Sequence, residues 1–176
     1  MSRSEPVAPR RLGQATAAGG ALRRRLAIAA LWLSVAGPAV TAPSGDGADQ
    51  ALLADADYSA GLAALKGGDM PTALSRFQAA LKRFPDSAGL HNELGFAHRK
   101  AGQLDKAFEH YKRALSIDPR HRSAHEYIGE AYLMAGDVAS AEKHLAELRS
   151  ICLLPCEELA DLRKAIEDHK SKTARR

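Results

Sequence analysis

The sequence predicts an all-α fold of three repeated helical units and a closing helix, and three observations point to it. Gly61, Gly95 and Gly129 recur at one constant interval, which Ala73, Ala107 and Ala141 share, as do Gly68, Gly102 and Gly136. Apolar residues have helical spacing within each copy, for example Leu74, Phe77 and Leu81, or Phe108, Tyr111 and Leu115. No segment alternates with period two for long enough to suggest a sheet.

The register extends to bulky positions. Phe77, Tyr111 and Leu145 align, as do Ala80, Ala114 and Leu148, and Pro85 with Pro119. In the second copy, Leu94-Gly95 with His98, then Ala107, Tyr111, Ala114 and Pro119, resembles the tetratricopeptide repeat almost position for position. The resemblance implies a pair of antiparallel helices per unit and a right-handed superhelical solenoid. The first copy departs by placing Asp57 where the family usually has a large residue, with Tyr58 next to it. The third ends in Leu153 where the others have proline. Terminal repeats are often atypical.

The units are placed at 54–87, 88–121 and 122–155, preceded by a flexible linker at 43–53. Within each unit, Gly61 is expected to face Ala73, Gly95 to face Ala107 and Gly129 to face Ala141, with Phe77 and Tyr111 filling the gaps between units. Gly67-Gly68-Asp69, Gly102-Gln103 and Gly136-Asp137 supply a left-handed helix end followed by a polar start. Pro71 suits a first helical turn, where its missing N–H is not needed. A capping helix occupies 156–170, with Leu159, Leu162 and Ile166 turned inward and Glu158, Asp161, Arg163, Lys164 and Glu167 outward. Residues 171–176 read as a disordered basic tail.

Residues 1–42 have a different composition. Arg23-Arg24-Arg25 precedes an apolar run, Leu26 to Ala36, that is broken by Gly37-Pro38 and followed by the small residues Ala39 to Ala42. A membrane span needs about 20 apolar residues. The run is shorter, and its layout is that of a cleaved signal peptide. Export to the periplasm or secretion is expected, with a mitochondrial presequence as the alternative, because residues 1–42 hold six arginines against one acid, Glu5. Without the leader the chain carries 19 basic and 20 acidic residues, a net charge of −1 in place of +4. Neither a basic stripe nor interleaved stacking aromatics is visible, so nucleic acid is not an expected partner. Nor is stable membrane insertion once the leader is removed.

Little in the sequence suggests catalysis. There is no phosphate-binding glycine loop, nucleophile elbow or zinc-protease motif, and no cofactor is expected. Cys152 and Cys156, the only cysteines, flank Leu153-Leu154-Pro155. Pro155 disfavours helix at Leu154 and puts the pair on a loop between the third unit and the cap. In an exported chain such a pair reads as a disulfide; a redox-active pair or a soft-metal ligand pair is the alternative, with these cysteines as the function of the molecule. His91 and His125 hold equivalent positions and are expected to pack between helices. His121 and His125 have the i, i+4 spacing of metal ligands, but no metal site is assigned.

What remains is surface. In the family that the chain resembles, the first helix of each unit lines a concave groove that binds peptide segments of partners. Carried over to this sequence, the groove is Tyr58, Leu62 and Leu65 from the first unit, Asn92, Phe96, Arg99 and Lys100 from the second, and Glu126, Glu130 and Leu133 from the third. Asp55, Lys66, Gly89, Ser123 and Met134 complete the same positions. The clamp that some members use for C-terminal carboxylates is not reproduced, because Tyr58, Leu62, Glu93 and Ser123 stand where it needs basic or amide side chains. The expected function is therefore a non-enzymatic scaffold or adaptor of the bacterial cell envelope that binds a protein or peptide partner.

Overall fold

A computed structural model describes residues 50–175. The leader and most of the linker lie outside the described residues. Among the described residues, seven longer helices follow in order: α1 (Ala56–Lys66), α2 (Met70–Leu81), α3 (Ala88–Lys100), α4 (Leu104–Ile117), α5 (Arg122–Met134), α6 (Val138–Ile151) and α7 (Glu157–Thr173). No strand occurs among them. The helices pair as α1 with α2, α3 with α4 and α5 with α6; each pair packs on the next, and α7 closes against α5 and α6. This is an all-α solenoid of three helix-turn-helix units and a capping helix.

The tight turns are built as their glycines predict. Gly68, Gly102 and Gly136 have φ of 77°, 74° and 82°, a conformation that glycine adopts without steric cost. The next residue donates its N–H back across the turn, Asp69 to the Ala64 carbonyl, Gln103 to His98 and Asp137 to Tyr132. Asp69 and Asp137 then cap α2 and α6 by accepting from the N–H groups of Thr72 and Ser140. Gln103 makes no side-chain cap; its amide oxygen meets His98 Nδ1 at 2.8 Å instead. Asp57, the unusual residue of the first unit, pairs with Arg76 and Arg83, and Arg83 also grips the α1 cap residue Asp55 through two hydrogen bonds.

The atoms nearest the glycines of the first helices belong to larger side chains than the expected alanines. A Cβ on Gly61 would lie 2.5 Å from the Phe77 ring, and one on Gly95 would lie 2.6 Å from the Tyr111 ring. The large residue of the second helix in these two units therefore lies against the glycine of its own unit while it also packs on the next unit, as expected for Phe77 and Tyr111. Gly129 is met by Leu162 of the cap at 2.7 Å. Phe77, Tyr111 and Leu162 are all fully buried.

Core clusters bridge the sequence units. The first joins Tyr58, Ala73, Phe77 and Ala80 to Leu90, Leu94 and Ala97 of the second unit. The second joins Ala107 and Tyr111 to Ile128 and Ala131, and the third joins Leu133, Ala141, Leu145 and Leu148 to Leu162 and Ile166 of the cap.

Two expected boundaries shift. Gln50 to Leu53 is already helical, and Leu52 is buried in the first cluster, so the linker ends earlier than residue 53. The cap helix runs to Thr173, past the expected start of the disordered tail at 171. Lys170 reaches Glu142 on α6, and the hydroxyls of Ser171 and Thr173 donate to carbonyls one turn back, which carries the helix onward. No helix of the described residues is long and apolar enough to cross a membrane.

Candidate functional site

The first helices α1, α3 and α5 place the expected groove residues on three stacked elements, but the structure divides them into two kinds. Tyr58 is buried with its ring 5.9 Å from Phe77, and Leu62 and Leu65 pack against the same core. Leu133 is likewise part of the last core cluster. Asp55 is a helix cap held by Arg83. These residues support the face from below.

A polar and aromatic cluster is left at the junction of α3 and α5. Phe96 and Tyr127 lie with ring centroids 5.0 Å apart. The Arg99 guanidinium sits over both rings, at 5.1 Å and 5.4 Å, and Lys100 Nζ lies 5.3 Å from the Phe96 centroid. Arg99 Nη1 pairs with Glu130 Oε2 at 2.6 Å, and Arg99 Nε donates to the Tyr111 hydroxyl at 3.3 Å. Only 8% of Arg99 is exposed. The expected division of the groove into opposed charges is thus partly closed within the chain, since Arg99 already holds Glu130. Burial pushes the Tyr111 hydroxyl up and the Tyr127 hydroxyl up to about 12, so both stay protonated donors. Neither Tyr127 nor the Tyr111 hydroxyl is among the expected site residues. Tyr127 falls one residue outside the positions carried over from the family.

Beside this cluster an open cavity of about 350 Å³ is lined by Arg99, Glu130, Leu133, Met134 and by Ala165, Asp168, His169 and Lys172 of the cap. Glu126, one turn before Glu130, is 8% exposed and makes no hydrogen bond or ion pair among the described residues. Burial first, then the charges of Glu130, Asp161 and Glu158, push its carboxyl up to about 7 against the opposing charge of Arg99. Asn92, at the equivalent place one unit earlier, is 3% exposed and its Oδ1 is buried without a hydrogen-bond partner among the described residues.

The histidines form two matched pairs. His91 Nε2 meets the Pro85 carbonyl at 3.0 Å and its Nδ1 meets His110 Nδ1 at 3.1 Å; His125 repeats both contacts with Pro119 at 3.1 Å and His144 at 3.0 Å. A carbonyl only accepts, so Nε2 of His91 and His125 carries the proton. Their Nδ1 atoms then accept from His110 and His144. His121 caps α5 by accepting the Ala124 N–H. No group of three or more metal-capable side chains exists among the described residues.

Cys152 and Cys156 are joined as a disulfide on the loop between α6 and α7, with Cα atoms 6.1 Å apart. The loop presents Leu153 and Leu154 to solvent. Joined sulfurs offer no thiolate pair to a metal in this state.

Two family models, both described as tetratricopeptide repeat, match residues 58–121 and 98–151, and together span more than half of the chain. The chain belongs to the tetratricopeptide-repeat family. Among solved structures, it is similar to the TPR2B domain of yeast Sti1, solved as a pHsp70 complex, at 19% identity and a TM-score of 0.61, covering 71% of this chain and 97% of that one. The type III secretion chaperone SycD of Yersinia enterocolitica, solved with a peptide of the translocator YopD, matches at 23% identity and a TM-score of 0.59, covering 74% and 97%. The Sgt2 TPR domain of Aspergillus fumigatus matches at 22% identity and 0.60, covering 78% and 85%. These likenesses are of fold. A comparison with curated proteins finds no match.

Proposed function

We propose that this protein is a non-enzymatic scaffold or adaptor, exported to the bacterial cell envelope, that binds a segment of a protein partner on the face of its first helices. The observation that carries the reading is the Phe96, Tyr127 and Arg99 cluster. Its two rings are fixed by a guanidinium that is itself held by Glu130 and Tyr111, so the face is ordered before a partner arrives. Solved proteins of the same fold, Sti1 in its pHsp70 complex and SycD with a YopD peptide, support a groove of this kind. The leader supports export, as does a cysteine pair joined on a surface loop.

The test compares partner capture by the purified exported protein and by its Phe96→Ala and Lys106→Ala variants. Phe96→Ala should lower affinity by about 5- to 150-fold, the loss of about 1–3 kcal/mol expected for an aromatic anchor, and Lys106→Ala on the outer helix should change it little. Equal capture by folded Phe96→Ala would remove the face from consideration. Thiol counting on the same preparation separates this reading from a thiol or soft-metal handling function, which needs Cys152 and Cys156 reduced.

A further inference from the structure

We infer that two copies of this chain pair along one edge, each seating Leu153 and Leu154 of its disulfide loop in an apolar cavity of the other. The contact is separate from the groove reading and leaves the face of the first helices open. Leu153 and Leu154 are 90% and 79% exposed, the most exposed large hydrophobic side chains among the described residues. The disulfide and Pro155 hold them side by side, so little freedom is lost when they dock. The receiving cavity has a volume of about 680 Å³ and is walled by Leu52, Leu53, Phe84, Ala88 and Ile117. Sites that hold a whole small molecule measure about 300–1,000 Å³, so two leucine side chains fit. Leu53 adds a wall that is itself 65% exposed. The lead-in to the first helix offers no substitute occupant, because residues 37–49 contain no Leu, Ile, Met or aromatic residue.

Topology makes the occupant a second copy. Antiparallel helices stacked in pairs put the α2–α3, α4–α5 and α6–α7 connections on one edge. The cavity is built on the first two connections, and the leucines stand on the third. A knob and a socket on the same edge satisfy a two-fold axis: each copy gives and receives the same contact, and the assembly closes at two. Charge agrees with this pairing. Arg163 is the only charged residue that lines the shallow cavity beside the leucines, and it has no ion pair among the described residues. At the socket Arg83 is held by Asp55 and Asp57, and Asp86 by Arg113, whereas Asp118 has no cation among the described residues. An unpaired guanidinium beside the knob thus meets an unpaired carboxylate beside the socket.

Sedimentation velocity of the purified exported protein tests the pairing, over a concentration series that reaches the millimolar range because a contact this small is weak. The mass should climb from one copy to two and stop. Leu153→Ser/Leu154→Ser removes the knob. Gly89→Phe plugs the socket, since Gly89 lines the cavity and a Cβ there meets nothing closer than Ser87 Oγ at 4.0 Å. Each variant alone should pair at least about tenfold more weakly than wild type, the loss expected when leucines stay in water. An equal mixture of the two should pair more tightly than either alone, because the leucines of the plugged copy still find the open socket of the other. Circular dichroism should show unchanged helix content; if Gly89→Phe loses helix, Arg163→Glu, a change at an exposed residue, replaces it as the second weakening variant. A wild type that stays monomeric, variants that pair as tightly as wild type, a mixture no tighter than its components, or growth beyond two copies overturns the inference. So does a monomer that Gly89→Phe destabilises, which would assign the cavity to the chain's own residues 37–49.

Discussion

Acidification from about pH 7.5 to about pH 5 should cost this protein stability through its two histidine pairs. Burial, followed by the neighbouring histidines, lowers the His110 and His144 pKa values from 6.5 to about 4. Each ring is a base whose folded pKa lies below its unfolded one, so its contribution is complete above pH 6.5 and disappears as the pH falls towards 4. At pH 5 the unfolded ring is protonated and the folded ring is mostly neutral. That difference is worth about 2 kcal/mol per ring at 1.36 kcal/mol per unit, and partial exposure reduces it to about 1 kcal/mol each. His91, also lowered by burial, has Arg113 opposing and Asp86 favouring a charge, and it cannot share a second proton with His110 across a 3.1 Å contact. Glu126 works the other way, because a carboxyl raised to about 7 takes up a proton more readily when folded and gains stability as the pH falls. The informative comparison is therefore between wild type and His110→Gln/His144→Gln, in which an amide donor replaces each ring and the Glu126 contribution cancels. Urea unfolding followed by circular dichroism at both pH values should show the variant losing about 2 kcal/mol less than wild type on acidification. Equal losses would refute the reasoning.

Gly95→Ala puts a methyl 2.6 Å from the buried Tyr111 ring, whose hydroxyl is tied to Arg99, and should destabilise by about 1–2 kcal/mol net of the helix propensity gained. Gly129→Ala puts a methyl 2.7 Å from both Cδ atoms of the fully buried Leu162 and 3.3 Å from its Cγ, and thermal melts should show it destabilised by about 1–2 kcal/mol as well. Replacing both Cys152 and Cys156 by serine should cost about 2 kcal/mol, the chain-entropy value for so short a loop, and leave helix content unchanged. A collapse of the far-ultraviolet spectrum in that variant would contradict the assignment of the core to the helices alone. Mass measurement of the exported protein should find its first residue between 37 and 50, and an intact leader would count against export with cleavage.

The repeat interval makes the helices, the turns and the alignment of equivalent positions legible in the sequence. It does not show which position meets which. Gly61, Gly95 and Ala73 have the spacing of a close helix pair, and that spacing does not reveal that the ring of Phe77 or Tyr111 takes the space beside the glycine of its unit, where an absent Cβ leaves room for a ring edge. His91 and His125 are visible as equivalents; His110 and His144, which complete the pairs, stand apart by the same repeat interval, and that recurrence is the available signal. Among the groove residues, Phe96, Arg99, Lys100 and Glu130 come together as side chains of neighbouring first helices. Tyr58 and Leu133 sink into cores, where large apolar groups gain more from leaving water than a surface position offers. That Asn92 Oδ1 goes unsatisfied is a matter of missing donors, which no spacing reveals.

The place of Leu162 on Gly129 bears on how many units this array can hold. In the first two units the glycine seat is filled from within, by Phe77 or Tyr111, and in the third the shorter Leu145 accompanies a seat occupied by the cap. A fourth unit grafted behind Ile151 would have to displace Leu162 and then supply its own side chain to that seat. An engineer wishing to lengthen the solenoid should therefore change Leu145 to an aromatic residue first and move α7 second, since the cap now fills the seat that the earlier units fill for themselves.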